Sequence, residues 1–467
     1  MAGRVPFSPA SAMMKATPDS LPAMPQTDAP PPYTARSDAT MPHSPATRTI
    51  LIVYFAKEHP LRQTIEQSLY AFDRYTDQRC VYLNLAVRGV PGWLRRLPID
   101  LVVFHTTFLS VRWNPPDFAR LLKKSSPLRS LGRARAALPQ DEYIHTIALG
   151  RFIRDFDITH VFSTVDESQR KHIYPQIDRD RVTFETVLTG YLDPGTVRAL
   201  DRQSCAATER TIDIGYRAKH VPYWLGEHGR LKVEIAERVR EAARDAGLMV
   251  DISTRARDTL FGEAWVKFLL TCKYTIGVEG GASLLDPDGS IRARTEAFVA
   301  AHPEATFEQA SDACFAETDG AFDLRAISPR HLEACATRTC QILIEGDYNG
   351  ILEPNKDYIP LNRDFSNLDE VLKMVQRDDL RERIVERAWR NIVASGRFGY
   401  DRFVNDLIVC CLPPDEAAAS PSPSALTLYW ARLVDRLSWS AVRVRQRIMA
   451  LLDALGVKIT LKCLFGR

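Results

Sequence analysis

At 467 residues the chain is too long for one ordinary hydrophobic core and suits two α/β domains of about 150–200 residues each, with segments to spare. A composition of 45% hydrophobic and 25% charged residues, without any apolar run of about 18 residues, excludes a helical membrane protein, and a formal net charge of +3 supplies no broad basic field for nucleic acid. Nine cysteines, odd in number and without a Cys-x-x-Cys pair, read as reduced core thiols, and proline punctuates the opening residues where a secretory signal needs an apolar block, so a cytoplasmic location is expected.

Residues 1–47 are rich in Pro, Ala, Ser and Thr, lack helical or strand periodicity, and read as a disordered tail. Order is expected to begin at Thr49-Ile-Leu-Ile-Val-Tyr-Phe55, a continuous apolar run of the kind a strand buried on both faces of a parallel sheet carries. A helical stretch over Leu61 to Tyr75 follows, then strand patterns at Cys80 to Leu85, Ile99 to His105 and Thr159 to Thr164. This alternation predicts a Rossmann-like domain over 48–204.

A second series begins near residue 205 with the strand pattern Thr211 to Arg217. Next comes a helix whose Leu231, Ile235, Val239, Ala242 and Ala246 share one face, with Gly247 placed to cap its C-terminus. Leu248 to Ile252 reads as a strand, Gly262 to Leu270 as a helix and Tyr274 to Glu279 as a strand, giving a second Rossmann-like domain over 205–395 and an α/β protein whose two domains face a cleft. Beyond an Ala/Ser/Pro linker at 413–425, Leu426 to Leu455 carries apolar residues at alternating three- and four-residue steps beside Arg432, Arg436, Arg443 and Arg447. The segment 426–467 is therefore expected to be a basic amphipathic helix suited to a partner helix, an anionic membrane surface or the body of the protein, with Trp430 and Trp439 of the type that favours a headgroup interface.

The most informative stretch runs from Ser328-Pro-Arg-His-Leu-Glu-Ala-Cys335 through the apolar residues up to Glu345, then Gly346-Asp-Tyr-Asn-Gly350, Tyr358-Ile-Pro-Leu361 and Asp364 to Val371. It resembles the donor-binding half of GT-B glycosyltransferases, especially the spore-maturation-type bacterial group, and the resemblance covers roughly residues 205–410. The resemblance implies a metal-independent transferase with no cofactor beyond its donor substrate, a nucleotide diphosphate sugar, and with a glycan, lipid-linked or protein acceptor. It also implies that Glu333, matching the glutamate of the family's Glu-Ala helix, contacts the nucleotide ribose, as a carboxylate accepting two hydrogen bonds from a vicinal diol can. The segment 396–412, by the same resemblance, is a helix crossing back to the first domain. Where many family members carry an acidic residue near the donor sugar, this chain has Arg325, and Glu279 takes that place if Leu284 to Ile327 form an insertion.

Physical chemistry then nominates partners for the donor. Gly280 and Gly281 leave room for backbone N–H groups to approach a diphosphate. Arg217, Lys219 and Arg330 are the cations expected to meet the charge of a departing nucleoside diphosphate. Asp286-Pro-Asp288 reads as a turn rather than a metal motif. In the first domain His105, at a strand end, is the expected base, with Asp166 and Glu167 in reserve. A phosphoglycerol-type transferase and a non-catalytic scaffold on the same fold are the alternatives.

Overall fold

The computed structural model describes residues 47–204, 209–413 and 423–454; the tail before Thr47, most of the linker and the end of the basic segment lie outside them. The first half holds six strands, β1 (Thr49–Tyr54), β2 (Arg79–Asn84), β3 (Leu101–Phe104), β4 (Ala134–Ala137), β5 (His160–Ser163) and β6 (Thr183–Thr186), all parallel in the order β2-β1-β3-β4-β5-β6. Every residue of β1 is buried, as its continuous apolar run requires of a strand flanked by β2 and β3 and covered on both faces.

The second half forms a five-stranded parallel sheet from β7 (Ile212–Arg217), β8 (Val250–Ser253), β9 (Cys272–Gly277), β12 (Cys340–Ile344) and β13 (Ile359–Leu361), in the order β13-β12-β9-β7-β8. The helix Gly226–Asp245 buries Leu231, Ile235, Ala236, Val239 and Ala243, and Gly247 ends it at a φ of +74° that a side chain rarely adopts. Both sheets therefore wind alike: the chain leaves the first strand to one side for the second and returns past it for the third. The class is α/β, with two Rossmann-like parallel sheets.

Between β9 and β12 the short strands β10 (Gly280–Ala282) and β11 (Leu324–Ala326) pair antiparallel, with Gly281 opposite Arg325. The 41 residues between them form an excursion that stays tied to the second half, Glu227 N donating to Asp319 at 2.8 Å and Arg230 pairing with Glu308 at 2.7 Å, while reaching over to the first. The Asp286 N–H donates to Tyr143 O at 2.7 Å and the His145 N–H to Asp286 O at 2.9 Å, so the excursion pairs with the first half. Two helices, Ser290–Ala301 and Phe307–Cys314, complete it. Asp286 and Asp288 form the expected turn, their carboxylates accepting from the backbone N–H groups of Gly289, Ile291 and Arg292 and of Ser290.

The chain crosses back once more at the end. Phe398 O accepts from Leu192 N, Tyr400 N donates to Leu192 O, and the helix Tyr400–Cys411 packs on the helix Gln63–Tyr75 of the first half, with Phe403 stacked 4.5 Å from Tyr191.

The helix Ala425–Ala454 lies along β2. Trp439 is not at a free surface, as its type led one to expect. It is buried, stacked on Tyr54 and donating its indole N–H to Tyr70 Oη at 2.6 Å, while Asp435 accepts from the Tyr54 and Tyr70 hydroxyls. One face of this helix thus belongs to the body of the protein. Among the described residues no helix is long and apolar enough to cross a membrane.

Candidate active site

In a parallel sheet wound this way, the connections leave the first and third strands on opposite sides, and the crevice that opens at their carboxyl ends is the usual ligand site. In the second half those strands are β7 and β9. The residues that follow them, Ala218, Lys219 and Val221 and Val278 to Gly280, line a cavity of about 220 Å³ together with Lys232, Trp265, Arg330 and His331. A second cavity of about 250 Å³ lies between the halves, walled by Gln63, Gln67 and Asp193 on one side and by Phe261, Trp265, Arg330 and Glu333 on the other. Each alone is below the roughly 300 Å³ at which small-molecule pockets begin; they share Trp265, Ser328 and Arg330, and together they enter that range.

The shared wall is built on the short helix Pro329–Ala336. Ser328 caps it by accepting from Arg330 N at 3.4 Å, and Pro329 suits its first turn. Arg330 and Glu333, three residues apart, project from the same side. The Arg330 guanidinium lies 4.8 Å over the Trp265 ring and donates to the backbone O of Arg217. Glu333 accepts the Trp265 indole N–H at 2.7 Å, and burial raises its carboxyl above the ordinary range, opposed by that hydrogen bond and by the Arg330 charge. Trp265, on the helix Gly262–Thr271, thus stands between the carboxylate in one cavity and the cations in the other.

Lys219 is exposed at the rim of the first cavity. Lys232 projects from the helix 226–245 into the same space, and the sequence reading passed over it. Burial pulls its ammonium down to about 8, opposed by the charge of Asp141 in the loop after β4 and aided by that of Arg330. Asp141 is exposed and held at a φ of +53°, a left-handed conformation uncommon outside glycine.

Other residues named from the sequence are placed differently. Arg217 does not face a phosphate site. Its guanidinium turns back to Asp251, donating to the carboxylate at 2.7 Å and the backbone O at 2.8 Å, and lies 4.2 Å over Phe268. Gly281 sits at a φ of +92° where a Cβ would come 2.1 Å from Leu324 O, so its glycine serves the β10–β11 pairing rather than access for a ligand. Gly280 does line the first cavity. Glu279 lines it too, but its carboxylate accepts from Tyr348 N at 2.8 Å and lies 3.5 Å from Arg325, and its backbone O is 3.0 Å from His228 Nε2. A β-carbon on Gly346 would meet this carboxylate at 2.3 Å, so glycine is what lets the loop after β12 close over Glu279. The excursion expected between Leu284 and Ile327 is what brings Glu279 and Arg325 together.

His105 is not available as a base. It caps the short helix Thr106–Leu109, is fully buried, and shares hydrogen bonds with Ser68 Oγ at 2.8 Å and Thr107 Oγ1 at 3.0 Å; burial pulls the imidazole down to about 3. The strand end does point at the cleft, but the helix Gln63–Tyr75 and the turn after β3 close over the ring. Asp166 caps the helix Glu167–Ile173 by accepting from Ser168 N at 2.9 Å, and neither it nor Glu167 lines the two cavities.

No protein-family model matches this sequence, and no curated protein matches it. Among solved structures the chain is similar to a glycosyltransferase from Rickettsia africae (9% identity, TM-score 0.42, covering 80% of this chain and all of that one) and to HepE from Anabaena in complex with UDP-glucose (10%, 0.39, covering 78% and 100%). It is also similar to TarM at 12% identity and a TM-score of 0.37, covering 73% of this chain and 56% of that one. Likeness this distant assigns neither donor nor acceptor, and the functional reading rests on the geometry of the cleft.

Proposed function

We propose that the chain is a metal-independent GT-B glycosyltransferase that moves a sugar from a nucleoside diphosphate sugar to a glycan, lipid-linked or protein acceptor. The observation that carries this reading is the convergence of Lys219, Lys232 and Arg330 on one cavity, one helical turn from the carboxylate of Glu333 in the adjoining one. Cations in a partly water-excluded crevice suit a diphosphate, and a carboxylate beside them suits the ribose diol. In this reading the bond between the sugar C1 and the β-phosphate oxygen breaks, the acceptor oxygen forms its bond to C1, and the acceptor proton passes to a carboxylate. Lys219, Lys232 and Arg330 meet the negative charge that grows on the leaving diphosphate. Gly280 lets the backbone approach the phosphates, and Glu279, tied to Arg325, fixes the loop beside the sugar. Two domains, about 48–204 and 205–395, would close on the donor and exclude water.

The test is to supply a panel of nucleoside diphosphate sugars and cytidine diphosphate donors with mixed acceptors and to identify the nucleotide released. A nucleoside diphosphate supports sugar transfer. A nucleoside monophosphate identifies phosphoglycerol-type transfer, and no release from any donor identifies a scaffold.

A further inference from the structure

The helix Ala425–Ala454 is 30 residues long, about 45 Å at 1.5 Å per residue, and only one side of it is used by the body of the protein. Ala431, Asp435, Ser438, Trp439 and Val442 face the first sheet, and Gln446 accepts from His59 N at 3.0 Å. At about 100° per residue, Leu426, Trp430, Leu437, Val444, Ile448 and Leu451 fall on the opposite side. All six are between 43% and 66% exposed, a continuous apolar stripe facing away from the protein.

What flanks the stripe decides its occupant. Arg436, Arg443 and Arg447 run along one border, Arg432 at the start of that row pairs with Asp73 of the first half at 3.6 Å, and Arg445 lies toward the other border. From Leu426 to Leu451 the single acidic residue is Asp435, and it is turned inward onto Tyr54 and Tyr70. The outward half of the helix is therefore apolar at its centre, basic at its borders and free of carboxylates. A second copy laid against it would set arginine rows against arginine rows, with none of the opposite charges that coiled-coil borders use. An anionic lipid surface complements both features, because acyl chains take the stripe while headgroups meet the guanidinium groups and Trp430.

We propose that this outward face of the terminal helix lies in the plane of an anionic membrane and holds the protein, through the docked inner face, with its first half against the lipid. The inference does not depend on the transferase reading. Each basic residue near an anionic surface contributes about fivefold in partitioning, so removing three should weaken it about 100-fold.

The test uses the full chain with vesicles of phosphatidylcholine alone or with phosphatidylglycerol, read by co-sedimentation. Wild type is expected to sediment with the anionic vesicles and to be released by salt. Arg436→Gln/Arg443→Gln/Arg447→Gln should lose most of this binding, and Leu437→Glu/Ile448→Glu should abolish it. Both variants should keep the wild-type unfolding temperature, since the altered side chains are exposed. Failure of wild type to bind at low salt would overturn the proposal, as would undiminished binding by the Leu437→Glu/Ile448→Glu variant. A dimer in light scattering that this same variant converts to monomer would overturn it in favour of a self-association seam.

Discussion

Replacing Lys232 by Met separates a ligand-binding cation from a structural one. The ammonium sits on the cleft side of the helix 226–245, pulled down to about 8 by burial. Without a donor, Met at this position removes a poorly solvated charge and keeps the aliphatic stem, so thermal stability should hold or rise slightly. With a donor, the substitution removes a charge-assisted hydrogen bond to phosphate, worth about 1.5–3 kcal/mol, or roughly 10- to 150-fold in affinity for the nucleoside diphosphate. The sign of the pH effect follows from the same residue. Phosphate binding needs the protonated amine, so wild-type affinity should fall as pH rises through about 8, while the Lys232→Met variant should be flat over that interval. Isothermal titration of the nucleoside diphosphate, with thermal unfolding of the free proteins, measures all three effects. Equal affinity of the two proteins near neutral pH, or a fall in stability that accounts for the lost binding, would refute the placement of a phosphate at Lys232.

Glu333→Ala should weaken the donor about tenfold or more, since one removed charged hydrogen bond to the ribose is about 1.5–3 kcal/mol, and should lower stability by about 1–3 kcal/mol through the stranded Trp265 indole N–H; titration of the folded variant with nucleoside and nucleoside diphosphate checks it. Activity in excess EDTA should equal that in added magnesium, because the leaving charge is assigned to Lys219, Lys232 and Arg330; turnover that stops with EDTA and returns with the metal contradicts that assignment. Gly281→Ala should cost about 1–3 kcal/mol in chemical denaturation, since φ is +92° and the added Cβ would sit 2.1 Å from Leu324 O. His105→Ala should also lower stability, by about 1–3 kcal/mol, through the stranded Ser68 and Thr107 partners. A pH–rate limb that vanished in that variant without loss of stability would restore His105 as a base.

Local pattern was enough where one element decides its own state. β1 is buried on both faces because it has no polar residue from Ile50 to Val53, and the helix 226–245 turns Leu231, Ile235 and Val239 inward as its period requires. β4 was missed because Ala134, Arg135, Ala136 and Ala137 carry no β-branched or aromatic side chain; its position between β3 and β5 fixes it, and that is a tertiary property. The same limit governs the site. Arg330 and Glu333 share one wall of the cleft because their spacing and the cap of their helix are local. Arg217 was placed on the right strand end, but its side chain is claimed by Asp251 and Phe268, 34 and 51 residues further along the chain. Lys232 left no mark except a lysine next to an apolar stripe, the commonest surface pattern there is. Trp439 and Trp430 look alike in sequence, and only the docking of the terminal helix on Tyr54 and Tyr70 tells the buried one from the exposed one.

The cleft itself is tested most directly by a crystal structure of the protein with a nucleoside diphosphate. The diphosphate is expected in the cavity at the ends of β7 and β9, within hydrogen-bonding distance of Lys232 and Arg330, with the ribose hydroxyls on the Glu333 carboxylate past Trp265. A nucleotide seated elsewhere, or bound at the cleft with its phosphates away from both cations, would contradict this placement.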